Sequence, residues 1–163
     1  MRLEMRITEL RADDLKLVLR LARTIWPAAY ANVLTPAQIE NLLDRIYSDE
    51  NLRTEFAAGH RFWAAWQDTE PVGYASGYRE GGIVWLKKLY VLPDRQGHGI
   101  GRALMESVIA GFAPVLDLRL FVNGNNIAAQ RFYERTGFAC IGEQAVRMGD
   151  YTFTDKIYRR ISR

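Results

Sequence analysis

Between Leu89 and Arg102 the chain reads Leu-Tyr-Val-Leu-Pro-Asp-Arg-Gln-Gly-His-Gly-Ile-Gly-Arg, an apolar strand that meets a proline, a charged turn and three glycines on alternate residues. A helix follows at once, because Ala103, Leu104, Met105, Val108, Ile109 and Phe112 supply apolar positions at helical spacing over 101–112. Glycines lacking a Cβ let the main chain bend and let a ligand approach it closely. The first turn of the helix adds unpaired N–H groups and the positive end of its dipole, so the junction suits a phosphate or pyrophosphate. Arg95 and Arg102 flank it and offer charge-assisted contacts.

The familiar phosphate loops do not fit the spacing. A mononucleotide loop needs Lys and Ser/Thr after its last glycine, and here Arg102 and Ala103 follow. A dinucleotide fingerprint counted from Gly97 ends on Arg102, and counted from Gly99 it ends on Leu104. What remains is Gln96-x-x-Gly99-x-Gly101. Read alone, that pattern is equally a tight strand-to-helix turn that binds nothing.

The rest of the chain narrows the choice. With 163 residues, 48% hydrophobic and 25% charged, it suits one globular domain, 1–163, and needs neither disorder nor a membrane span to explain it. The net charge of +3 is dispersed, apart from Lys156, Arg159, Arg160 and Arg163, so no nucleic-acid partner is expected and an anionic small ligand is favoured. Arg2, Glu4 and Arg6 interrupt the first residues, so no leader or membrane segment is expected. One cysteine, Cys140, sits in Phe138-Ala139-Cys140-Ile141 and reads as a small buried side chain, without an intrachain disulfide and consistent with a cytoplasmic chain.

The elements follow in order. Residues 5–10 alternate as a strand, and Asp13-Asp14 opens a helix that Pro27 disturbs or ends. Thr35-Pro36-Ala37-Gln38 is a capping box, and a shorter helix spans about 50–58 with Gly59 as its C-terminal cap. Strands are expected at 61–67 and 72–78, with a hairpin at Gly81-Gly82 leading into 83–91. After the glycine loop and its helix come a strand at 115–122 and a helix capped by Asn125 or Asn126 and ended by Gly137. A strand pair at 138–147 and 151–161 closes the chain. The result is an α/β (α+β) chain, a mixed, mostly antiparallel sheet of about seven strands flanked by about four helices, with one βαβ unit around the glycine loop.

A second stretch, Asn126 to Phe138, places Asn126, Ala129 and Tyr133 at i, i+3 and i+7 on one helical face. By pattern alone Asn126 is a helix cap and Tyr133 a half-buried packing residue. Together, however, Gln96-x-x-Gly99-x-Gly101 and Asn126-x-x-Ala129-x-x-Phe132-Tyr133-Glu134-x-x-Gly137-Phe138 resemble the two cofactor motifs of the GCN5-related N-acetyltransferases, in the family's order and separation. The resemblance covers about residues 74–142.

It implies a single acetyltransferase domain that uses acetyl-CoA as co-substrate and requires no metal. The main chain of Leu89, Tyr90 and Val91 would pair with the pantetheine arm like an added strand. N–H groups of Gln96, Gly97, His98, Gly99, Ile100, Gly101 and Arg102 would hold the pyrophosphate. Asn126 would hydrogen-bond the cofactor. The implied reaction is direct attack of a neutral amine on the acetyl carbonyl, with a main-chain N–H near Val91 at the oxyanion and Tyr133 as general acid toward the thiolate.

Many relatives carry a Glu on the strand before the glycine loop, but this strand reads Trp85-Leu86-Lys87-Lys88-Leu89, with no carboxylate between Ile83 and Val91. Glu80, Asp150 or a water relay are the alternatives for a base, and the two lysines read as solvated. Trp26, Tyr30, Thr35 to Ile39, Tyr47 to Leu52 and Gly149 to Asp155 also resemble bacterial polyamine N-acetyltransferases. The acceptor expected is therefore a small amine or polyamine, in a pocket formed by Trp26, Tyr30, Asp150 and Tyr151, with Trp63 assigned to the core. A peptide acceptor and a non-catalytic acyl-CoA sensor are the alternatives. The last strand pair is a candidate homodimer surface.

Overall fold

The computed structural model describes residues 4–161; Arg2 and Arg163, counted above, lie outside them. The elements are β1 (Met5–Glu9), α1 (Leu15–Ala29), α2 (Pro36–Ile46), α3 (Asp49–Ala57), β2 (Arg61–Gln67), β3 (Glu70–Glu80), β4 (Ile83–Val91), α4 (Ile100–Phe112), β5 (Asp117–Asn123), α5 (Ile127–Arg135), β6 (Ala139–Met148) and β7 (Tyr151–Ile161). Among the described residues there are five α-helices, the shorter helix expected at about 50–58 being α3, its N-terminus capped by the Ser48 hydroxyl accepting from the Asn51 N–H at 3.1 Å.

Several boundaries differ from expectation for local reasons. Pro27 does not end α1: it lies in the last turn, where its missing N–H costs a single backbone bond, and Tyr30 N–H still reaches the Trp26 carbonyl at 3.0 Å. β3 starts at Glu70 because the turn before it is only Asp68-Thr69, with Asp68 at φ 53° and Gln67 paired to Glu70. β5 starts at Asp117 because the Arg79 guanidinium donates to the Phe112 and Pro114 carbonyls, engaging that approach before it can join the sheet.

Among the described residues the seven strands are ordered β1-β2-β3-β4-β5-β7-β6, and only the β4–β5 pair is parallel. One core lies between the sheet and α4 and α5, around Leu104, Met105, Val108, Leu118, Leu120 and Tyr133. The other lies under α1, α2 and α3, around Val18, Ile25, Trp26, Leu42, Tyr47, Phe62 and Tyr74. Trp63 is buried in the first, as expected.

α4 packs so tightly on β3 that a Cβ at Gly77 would stand 2.9 Å from both the Trp85 carbonyl oxygen and Val108 Cγ1. Gly77→Ala is expected to cost about 1–3 kcal/mol by overpacking, read from denaturant unfolding.

Cys140 departs from expectation. It is exposed, on β6 at the edge of the sheet. The basic residues near the C-terminal end are used structurally: Arg159 and Arg119 both pair with Asp117, at 3.1 and 3.0 Å, and Arg160 donates to the Thr136 carbonyl at 3.2 Å. Among the described residues no helix is long and apolar enough to cross a membrane.

Candidate functional site

β4 and β5 meet over two residue pairs, Val84 with Leu118 and Trp85 with Arg119, and then part. On the other edge of β4, Leu86 pairs with Gly77 and Lys88 with Ser76, so Lys87 is an extra residue with no partner. Such a bulge bends its strand and increases the local twist. It also changes the side-chain parity: Val84 and Leu86 face the α4 core before it, Leu89 and Val91 after it. Lys88 and Tyr90 are thereby delivered to the α1–α3 side, where Lys88 lies over the Tyr47 and Phe62 rings.

A cavity of about 300 Å³ opens where the strands part. β4 contributes Leu86, Lys87, Leu89 and Tyr90, and β5 contributes Phe121, Val122 and Asn123. α5 presents Asn126, Ala129 and Tyr133 from one side, while Trp26, Tyr30 and Leu34 close the other. Phe153 and Asp155 of β7 complete the wall.

The glycine loop lies beyond the end of β4. Gly97 and Gly99 have φ of +84° and +80°, and a Cβ on either would meet nothing within 4 Å, so the loop presents bare main chain to open space. Among the described residues no side chain caps α4, whose first bond runs from Ala103 N–H to the Gly99 carbonyl at 3.0 Å. The N–H groups of Ile100, Gly101 and Arg102 ahead of it therefore lack intrahelical partners, which is the arrangement an anion needs. This main chain fits the diphosphate of CoA, and the fork between β4 and β5 fits an extended arm.

The individual residues divide the work differently from the sequence reading. Gly101 serves helix packing, its Cβ position being 3.4 Å from the Phe132 ring. Ile100 is buried in the core, so only its main chain can reach a ligand. Gln96 folds its amide back to donate to the Val91 carbonyl at 3.2 Å and braces the loop. Arg95 turns away to Glu70, at 3.1 Å, and to Gln67. His98 and Arg102 are exposed beside the loop.

Asn126 is both the α5 cap, accepting from Ala129 N–H at 3.2 Å, and a wall of the cavity. Tyr133 is buried against Phe132 and Phe138, with ring centroids 5.3 and 5.5 Å apart. Burial pushes its hydroxyl well above the usual phenol range, with a smaller contribution from Tyr30, so the group stays protonated.

The opposite wall is aromatic. Tyr30 and Tyr90 share a hydroxyl–hydroxyl hydrogen bond of 2.7 Å, Tyr47 and Tyr74 one of 2.6 Å, and Trp26 packs against Tyr30, Tyr47 and Tyr90. Trp26 and Tyr30 thus line the cavity. Asp150 does not, since it sits in the exposed β6–β7 turn, and Tyr151 packs beside Phe153 without lining it. Glu80, at the exposed end of β3, is also outside the cavity.

Two features escaped the sequence reading. Asp155 faces the cavity, opposite Asn123 in the β5–β7 register; the alternation Tyr151, Phe153, Asp155 on one strand face is the signal that could have found it. Lys88 is not solvated: it is 3% exposed and donates to both Glu55 oxygens at 2.7 and 3.1 Å. Burial lowers its pKa against the opposing pull of Glu55. Nothing in the sequence announces the bulge that turns it inward.

Comparison with known proteins agrees with this architecture. A family model described as an acetyltransferase (GNAT) domain matches residues 30–155. An uncharacterised N-acetyltransferase of Mycobacterium tuberculosis is 35% identical over 91% of this chain and 96% of its own length. The spermidine N(1)-acetyltransferase of Thermoplasma acidophilum is 27% identical over 81% of this chain and 86% of its own. In fold, the chain is similar to the PaiA N-acetyltransferase of Thermoplasma acidophilum, solved in complex with coenzyme A, with a TM-score of 0.83, 24% identity and coverage of 98% and 99% of the two chains. The chain belongs to the GNAT family of acetyltransferases.

Proposed function

We propose that this protein transfers an acetyl group from acetyl-CoA to the primary amine of a small molecule by direct attack. The observation that carries this reading is the fork between β4 and β5, with Tyr133 in its lining and, beyond the end of β4, an uncapped helix behind bare glycine main chain. The main chain of residues 96–102 would hold the pyrophosphate, and the free edge of β4 at Leu89, Tyr90 and Val91 would pair with the pantetheine arm. Asn126 and Ala129 bound that arm from α5.

Chemistry is then assigned to groups in the fork. A main-chain N–H near Val91 stabilises the carbonyl oxygen as it gains charge. Tyr133, kept protonated by burial, passes its proton to the departing sulfur in step with its own reprotonation, because a thiolate whose thiol pKa is about 8.5 is too weak a base to deprotonate a buried phenol alone. The proton the new amide nitrogen sheds restores Tyr133. No carboxylate of β4 takes part.

Acetyl-CoA binding tests the reading. At about 100 times its dissociation constant it should stabilise the fold by about 2.7 kcal/mol. That effect is expected as a raised melting temperature. An unchanged melting temperature at saturating acetyl-CoA would overturn the assignment.

A further inference from the structure

Resting on that reading, we infer that the acceptor is an amine with one ammonium group and a flat apolar body, its nitrogen received by Asp155, rather than a polyamine. The cavity has a simple charge pattern. Among the described residues that line it, Asp155 is the one carboxylate and Lys87 the one ammonium; the remainder are apolar, aromatic or amide. Among the described residues no cationic side chain pairs with Asp155. Asp155 is half-buried, and an incoming ammonium supplies the partner that a partly desolvated carboxylate lacks.

Position supports the role. Asp155 stands opposite Asn123 of β5, on the side of the fork where Tyr30 and Tyr90 join their hydroxyls. Burial raises the Asp155 carboxyl above its usual range, and its charge is felt at the Tyr30 hydroxyl. Asp155 is thus suited to bind the ammonium and then accept one of its protons. The proton ledger closes. Of three ammonium protons, one passes to Asp155 and then to water, one restores Tyr133, and one stays on the amide. The C–S bond breaks as the C–N bond forms.

A second ammonium finds nothing comparable. Lys87 holds its charge over the Tyr78 ring at 5.9 Å and 3.6 Å from Glu55, which is already held by Lys88. The Tyr78 ring is already stacked by His60 at 4.4 Å, and Trp85 and Phe121 stack on each other at 4.7 Å and 6° with outer faces left open. That Trp85–Phe121 slab, with Phe121 40% exposed, is a surface for a planar apolar group.

The test compares phenethylamine with spermidine as acceptors for the full chain, alongside Asp155→Asn and Lys87→Gln, with acetyl-CoA binding measured for each protein. Expected is a higher kcat/KM for phenethylamine, a loss of about 10²-fold in Asp155→Asn from removing a charged hydrogen-bond partner, and improved spermidine turnover in Lys87→Gln. Acetyl-CoA affinity should be unchanged in both variants, with the melting temperature unchanged in Lys87→Gln and no lower in Asp155→Asn, which removes a partly desolvated charge. Preference for spermidine, an unaffected Asp155→Asn, or turnover of neither amine by a protein that binds acetyl-CoA would overturn the inference. Failure to bind acetyl-CoA would instead overturn the proposed function beneath it.

Discussion

Tyr133→Phe is expected to lower kcat by about 10²–10⁴-fold, the range for loss of a positioned acid, while acetyl-CoA affinity and the fold stay as they are. The phenol ring, which makes the packing contacts with Phe132 and Phe138, is retained, and only the hydroxyl is removed. Because burial holds Tyr133 far above the usual phenol range, its protonated form persists, and kcat should show no alkaline limb from this residue between about pH 7 and 9. Steady-state kinetics on both proteins, with calorimetric binding of acetyl-CoA, checks each part. Unchanged kcat in the variant would remove Tyr133 from the chemistry.

The largest stability effect is expected at Glu55. Glu55→Ala leaves the Lys88 ammonium buried between Tyr47 and Phe62 without its partner, a loss of about 3–5 kcal/mol. For a chain of this size that is a fall in melting temperature on the order of 10 °C. The sign with pH follows from burial. Lys88 already has a lowered pKa, and without Glu55 to hold its charge that pKa falls further. The variant sheds this proton at a lower pH than the parent, in which Lys88 titrates at about 8, so its stability deficit shrinks as pH rises toward about 8 and stays level above it. Replacing the pair together, Glu55→Leu with Lys88→Met, should restore most of the loss, because neither charge is then buried. Denaturant unfolding of the single and double variants measures all three. A single variant as stable as the parent would show that the pair carries no weight in the fold.

The glycine loop, the α5 cap and the order of strands and helices were legible because each rests on local rules: positive φ at Gly97 and Gly99, an Asn before an apolar period, proline at the start of α2. The aromatic wall of the cavity was only half legible. Trp26 and Tyr30 line the cavity, but Asp150 was read as lining it where Asp155 does, because one turn at Gly149 decides which residues of β7 face inward. The β4 bulge was invisible. A single unpaired residue at Lys87 reverses the faces of everything after it, so alternation counted from Ile83 makes Lys88 the partner of Val84 and Leu86, whereas it lies with Glu55 on the other side of the sheet. Pairing across strands fixes that register, and pairing is a property of the folded sheet rather than of any one segment. Cys140 shows the same limit: its apolar neighbours suggest burial, but its place on an edge strand exposes it.

The central claim is amine-dependent transfer from acetyl-CoA, and release of free CoA thiol in the presence and absence of a primary amine tests it most directly. The account predicts release that requires the amine, yields its acetylated product by mass and is nearly lost in Tyr133→Phe. Thiol release that is independent of amine, or no release from a protein saturated with acetyl-CoA and supplied with monoamines, polyamines and lysyl peptides, would contradict it.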